Sequence, residues 1–126
     1  MGADGIVLTN HGGRQLDGAI SPMLALPEIA REVGAELTIL IDGGFRRGTD
    51  IVKALALGAN GVLCGRAPLY GLAADGERGA MRAIALLASE TSRTLALLGR
   101  PTIAAIDRSC VREWSVPFMT DQPKVD

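Results

Sequence analysis

Three short runs of apolar, largely β-branched residues punctuate the chain: Gly5–Asn10, Leu37–Asp42 and Gly61–Cys64. None alternates apolar with polar positions. Continuous runs of this length predict strands buried on both faces, as in a parallel sheet. The intervening segments carry a helical period. Ser21 followed by Pro22 predicts an N-cap with proline at the first helical position, and the helix runs to Val33 and stops at Gly34. Leu24, Ile29 and Val33 share its inward stripe, and Pro27 disturbs its first turns. Thr49 predicts the N-cap of a second helix over Asp50–Leu57, with Asp50 at its positive end and Gly58 as its C-cap. A short helix opens around Arg66–Pro68 and reaches Ala73. A longer one, from Arg78 to Leu98, sets Met81, Ile84, Ala85, Ala88, Leu95 and Leu98 near helical spacing, with Gly99 closing it. From Pro101 onward no period is visible, which predicts a surface-bound or frayed tail over 101–126.

Strand and helix thus alternate, the pattern of an α/β fold built from βαβ crossovers. A doubly wound sheet and a piece of a (β/α)₈ barrel both satisfy it. No strand is followed by GxGxxG, which leaves the dinucleotide-binding version without support. A barrel places its chemistry at the C-terminal ends of its strands, and the unusual residues stand there.

After the first run comes Asn10-His11-Gly12-Gly13-Arg14-Gln15-Leu16-Asp17. The glycines let the backbone turn tightly and approach a ligand. His11 can act as a base. Arg14 offers a planar fork matched to a carboxylate. The plain alternative is a loop in which both are merely solvated, and a strand's C-terminal end favours the functional reading over it. After the second run comes Asp42-Gly43-Gly44-Phe45-Arg46-Arg47-Gly48-Thr49, a glycine-rich turn whose N–H groups suit an anion. Asp42 can accept hydrogen bonds from sugar-like hydroxyls, and Arg46 or Arg47 can neutralise phosphate. An ordinary strand-to-helix turn is the alternative. After the third run, Gly65-Arg66 opens the short helix. Two such loops plus a short extra helix match the phosphate sites of barrels.

Composition narrows the function classes. Thirteen Lys and Arg against 14 Asp and Glu give a net charge of −1, which argues against a nucleic-acid partner. Apolar residues reach 48%, enough for a core, and aromatics only 3%, too few for base-stacking platforms. The two cysteines, Cys64 and Cys110, lack metal or redox spacing, and His11 is the only histidine, so neither a disulfide framework nor a zinc site is expected. No apolar run is long enough to span a membrane and no leader is readable, so the expected location is the cytoplasm. The length of 126 residues suits one domain, whereas a complete barrel needs about 250.

Together these residues resemble the FMN-dependent 2-hydroxy acid dehydrogenase/oxidase family. Thr9-Asn10-His11-Gly12-Gly13-Arg14-Gln15-Leu16-Asp17 resembles its active-site signature, with Thr9 where Ser is commoner. The stretch from Asp42 to Ala59 and Gly65-Arg66 resemble its FMN-phosphate segments. The likeness runs from Ala3 to about Arg100. The second segment is shared with other phosphate-binding barrels, whereas the His11–Arg14 signature is narrow. Ala19–Met23 and Leu69–Ala73 are most similar to the mandelate dehydrogenase-like branch.

The resemblance implies the C-terminal portion of a (β/α)₈ barrel, with the three strands corresponding to the family's sixth to eighth. It implies FMN as cofactor and a 2-hydroxy acid as substrate. His11 would take a proton and Arg14 would bind the substrate carboxylate. Asp42, Gly43, Gly44, Phe45, Arg46, Gly65 and Arg66 would hold the cofactor, and Asp17 would act as a partner of the site or as a surface cap. It further implies a homo-oligomeric parent, with room for membrane association, and a missing N-terminal barrel part as partner. That part would carry the lysine beside the flavin, the substrate tyrosines and the carboxylate that orients the histidine. The competing expectation is a non-catalytic FMN- or phosphate-binding fragment of a related barrel.

Overall fold

In the computed structural model, which describes residues 2–112, the apolar runs become strands β1 (Gly5–Leu8), β2 (Thr38–Asp42) and β3 (Gly61–Leu63). Helices α1 (Pro22–Val33), α2 (Gly48–Ala56) and α3 (Arg66–Leu97) follow them in turn. The strands form one parallel sheet in the order β1-β2-β3, the arrangement that helical crossovers produce. Ile6 lies beside Ile39, Leu8 beside Ile41, and Ile41 beside Val62. Asn60 sets the register of the short β3. Its amide oxygen accepts the Ile39 N–H at 2.7 Å, and its own N–H donates to the Ile39 carbonyl at 2.8 Å.

Side chains alternate across a strand, so cross-strand partners share a face. Ile39 and Ile41 are fully buried beneath the helices with Leu26, Phe45, Ala54 and Ala59; Ile6, Leu8, Ile29, Val33 and Val62 pack around them. Burying a side chain of this size stabilises a fold by about 1.5–3 kcal/mol, so this cluster holds the helices to the sheet. The opposite face carries Val7, 51% exposed, and Leu63, 42% exposed. The expectation of strands buried on both faces is corrected here: among the described residues, helices cover one face only.

The helices follow the capping signals with some shifts. α1 begins at Pro22 behind Ser21 and ends before Gly34, as expected, and continues through Pro27. Its inward residue is Leu26, whereas Leu24 is 73% exposed. α2 starts at Gly48, with Arg47 rather than Thr49 at the N-cap position. The reason is that Asp50 Oδ2 reaches back to the N–H groups of Arg46 and Arg47, at 3.2 and 3.0 Å. Leu57 and Gly58 (φ 108°) close the helix.

α3 joins the expected short and long helices across a break at Asp75 and Gly76, the latter with φ 54°. The two halves double back until backbone meets backbone. A Cβ on Gly71 would stand 2.3 Å from the Gly79 carbonyl oxygen, and one on Gly79 would stand 1.9 Å from that of Gly71. The long half turns Leu87 and Thr91 inward, while Met81 and Ile84, expected on its apolar stripe, are 65% and 53% exposed. Close approach decides this. A Cβ on Gly48 would lie 2.2 Å from the Thr91 nitrogen, so α2 meets α3 where a small residue allows contact.

Beyond Gly99 (φ 66°) the chain makes 3₁₀ turns at Ile103–Ala105 and Arg108–Cys110. The second packs on α2, so of the two alternatives expected for the tail this part is bound to the surface of the fold rather than frayed. The rest of that expectation, from 113 on, lies outside the described residues. Among the described residues no helix is long and apolar enough to cross a membrane.

Candidate active site

Parallel strands bring their C-terminal ends to one edge, and the three following loops line a cleft of about 790 Å³ there. The β1 loop contributes His11, Gly12 and Arg14. The β2 loop contributes Asp42, Gly43, Gly44, Phe45 and Arg46. Gly65 and Arg66 come from the start of α3. The cleft therefore gathers the residues named from the sequence for catalysis and cofactor binding, whereas Asp17 and Arg47 do not line it. A second groove of about 570 Å³, on the helical side between α1, α2 and Arg108–Arg112, holds none of them.

The β1 loop is a tight 3₁₀ turn over His11–Gly13. The Asn10 side chain organises it: Oδ1 accepts the Gly12 N–H at 3.0 Å, and Nδ2 donates to the Ile20 carbonyl at 3.3 Å. His11 has φ 53°, and it is the one non-glycine residue with positive φ among those described. A strained, exposed histidine at a strand end fits a functional position. Thr9 ties this turn to the neighbouring strand. Its hydroxyl donates to Asp42 Oδ2 at 3.1 Å and accepts the His11 N–H at 3.0 Å. Arg14 is exposed at the cleft. Asp17 accepts the N–H of Gly18 at 3.1 Å, which makes it a cap of its own turn; it does not line the cleft.

The β2 loop turns through Gly43 and Gly44, with φ 136° and 76°, values open to glycine at little cost. Phe45 follows, only 6% exposed and part of the core cluster, so its ring anchors the loop from beneath. The two arginines then part company. Arg46 borders the cleft, whereas Arg47 turns away to Glu90 on α3. This separates the pair that the sequence left as alternatives. The N–H groups at the start of α2 are also taken, by Asp50 and Glu90. The helix N-terminus that borders the cleft is that of α3, through Gly65, Arg66 and Ala67, with no side-chain cap. Arg66 reaches toward the first loop, and a Cβ on Gly12 would lie 3.6 Å from its guanidinium nitrogen.

Three arginines against the single carboxylate of Asp42 give the cleft a surplus of positive charge, chemistry that suits an anion. Burial, and then the nearby Asp42 charge, push the Cys64 thiol above its ordinary value, which disfavours the nucleophilic thiolate. Leu63, Leu69 and Tyr70 also line the cleft and supply an apolar and aromatic wall. Leu63 carried no signal in the sequence beyond its place in the third apolar run, and Leu69 and Tyr70 stood out only through the resemblance of Leu69–Ala73 to the mandelate dehydrogenase-like branch. Glu90 was missed altogether, being 42 residues from Gly48 in the chain.

A family model described as FMN-dependent dehydrogenase matches residues 1–113. The chain is 58% identical over 105 residues to (S)-mandelate dehydrogenase of Pseudomonas putida, covering 83% of this chain and 26% of the relative. It is 53% identical over 108 residues to L-lactate oxidase of Nostoc sp., covering 86% and 30%. Among solved structures, a soluble mutant of the membrane-associated (S)-mandelate dehydrogenase from Pseudomonas putida superposes with a TM-score of 0.85 at 54% identity, covering 90% of this chain and 32% of that one. The chain thus spans between a quarter and a third of the relatives it matches.

Proposed function

The chain belongs to the FMN-dependent dehydrogenase family, and from that premise we propose that it forms the C-terminal part of a flavoenzyme oxidising a 2-hydroxy acid to a 2-oxo acid. The observation that carries this reading is the gathering of His11, Arg14, Arg46 and Arg66 around one strand-end cleft. Arg14 binds the substrate carboxylate as a two-pronged pair. His11 accepts a proton as the substrate is oxidised. When bound, FMN supplies the acceptor for the electron pair leaving the substrate α-carbon.

The residues present fit its phosphate: Arg46 and Arg66 offer charge, and Gly43, Gly44 and Gly65 leave the backbone open to close approach. Asp42 faces the same cleft and suits the hydroxyls of the ribityl chain. Phe45 serves the site by anchoring this loop.

The remaining barrel part completes the enzyme, and the parent works as a homo-oligomer in the cytoplasm or on a membrane surface. The uncovered sheet face with Val7 and Leu63 supports inactivity of the chain alone. The same observation favours the second reading, a fragment that binds FMN or phosphate without catalysis. Titrating the purified chain with FMN while following flavin fluorescence tests the cofactor site, and dye reduction with glycolate, lactate and mandelate tests the catalysis. Binding without turnover, with turnover restored by a separately expressed barrel part from a relative, supports the first reading. Binding without restoration supports the second, and no flavin binding in either setting defeats both.

A further inference from the structure

Glu90 stands on the long half of α3, outside the cleft, yet its carboxylate reaches the loop that borders it. Oε2 accepts the Gly48 N–H at 2.8 Å and the Arg47 Nε–H at 3.0 Å, while Oε1 pairs with Arg47 Nη2 at 2.9 Å. This is a side-on, two-pronged pair combined with a charge-assisted bond to the first residue of α2. Its side chain is 26% exposed, against 69% for that of Arg47, so the anchored end is the more sheltered one. The α3 backbone is pressed against Gly48 closely enough to exclude any Cβ there, which leaves little room for water to replace the carboxylate.

From this geometry we propose that Glu90 is a positioning residue for the phosphate-binding loop. By holding Gly48 and drawing Arg47 outward, it fixes the stretch from Gly43 to Arg46 so that Arg46 faces the cleft. Asp50 works with it by holding the N–H groups of Arg46 and Arg47. A loop with both arginines free would have alternative registers available, with either guanidinium over the anion. The ion pair removes that choice. The inference rests on the reading of the cleft as an FMN-phosphate site, and it names a residue that touches neither cofactor nor substrate.

The test compares Glu90→Ala and Glu90→Gln with the unaltered 126-residue chain. One measurement is affinity for FMN and for riboflavin, which lacks the phosphate. The other is amide hydrogen exchange without flavin. FMN binding is expected to weaken roughly tenfold in Glu90→Ala with riboflavin unchanged. Glu90→Gln should recover part of the loss, because its amide oxygen still accepts from Gly48. Exchange at Gly43–Arg46 should quicken while the core amides of Ile39 and Ile41 hold. Equal loss of both flavins marks a general loosening and overturns the proposal. Unchanged exchange at Gly43–Arg46 overturns it whatever the flavins do. If no variant binds either flavin, alone or with the separately expressed barrel part, the cofactor reading of the cleft fails, and quickened loop exchange still upholds the role of Glu90 in holding the loop.

Discussion

Thr9, just past the end of β1, and Asp42, the last residue of β2, share a hydrogen bond of 3.1 Å, and the same Thr9 hydroxyl receives the His11 N–H at 3.0 Å. One side chain therefore links the anionic end of β2 to the strained turn that carries His11. Thr9→Val keeps the shape and removes the hydroxyl, leaving Asp42 and the His11 N–H without this partner. The expected cost is about 1 kcal/mol in urea unfolding, with Thr9→Ser close to the original chain. Equal stability of the valine and serine variants would show that the hydroxyl ties nothing together.

Arg46 borders the cleft and makes no ion pair among the described residues, so its charge is available to an anion. Arg46→Ala is expected to weaken FMN binding roughly tenfold while the thermal midpoint stays within a degree or so of the original. Calorimetric titration paired with a thermal melt separates the two quantities. A lower midpoint with unaltered binding would assign Arg46 to the fold instead.

Gly48 lies where two helices touch. A methyl group there would sit 2.2 Å from the Thr91 nitrogen and 2.5 Å from the Glu90 carbonyl carbon, both backbone atoms that cannot turn aside. Gly48→Ala should destabilise the chain by about 1–3 kcal/mol through overpacking. The favourable helix propensity of alanine offsets this by about 1 kcal/mol at most. A gain in stability on denaturant unfolding would contradict the close contact.

Acid should loosen the α2–α3 junction. The Arg47 guanidinium, and after it the Gly48 N–H, hold the Glu90 carboxyl below its ordinary value of 4.5. The folded state thus binds the proton less readily than the unfolded chain. The resulting stabilisation is fully present above 4.5 and is lost as pH falls through the lower folded value. Asp107, held low by the Ser109 hydroxyl and N–H and by Arg100, acts in the same direction. Unfolding measured from pH 6 downward should show a shallower acid slope in Glu90→Gln, with the Asp107 share remaining. Superimposable slopes would leave Glu90 without a part in acid sensitivity.

Much of this molecule was legible in its sequence because its punctuation is local. Pro22, Gly58 and Gly99 mark helix ends through constraints that act within a turn. Strand-end residues such as His11, Arg14 and Gly65 share the cleft because parallel topology leaves them no other edge. What escaped depends on distant partners. The inward choice of Leu26 over Leu24 reflects where the sheet lies, and the inward turn of Leu87 and Thr91 reflects the helix that Gly48 admits. Thr49 scores well as a cap by residue type, yet Asp50 and Glu90 supply the carboxylates that start α2 two residues earlier. The open face of the sheet was foreseeable from the strand count: three strands of an eight-stranded barrel leave an interior face that no described residue covers.

The contact between Gly71 and Gly79 also governs aim. Arg66 stands five residues before Gly71, about 7.5 Å along the helix axis at the usual rise. If a bulkier side chain wedged the two halves of α3 apart by about 10°, the start of the helix would swing by about 1.3 Å at that radius. The Arg66 guanidinium, farther out still, would travel more. Anion affinity can thus be tuned from a crossing point that touches no anion, and the smallness of two residues there sets the bearing of a charge at the far end of the arm.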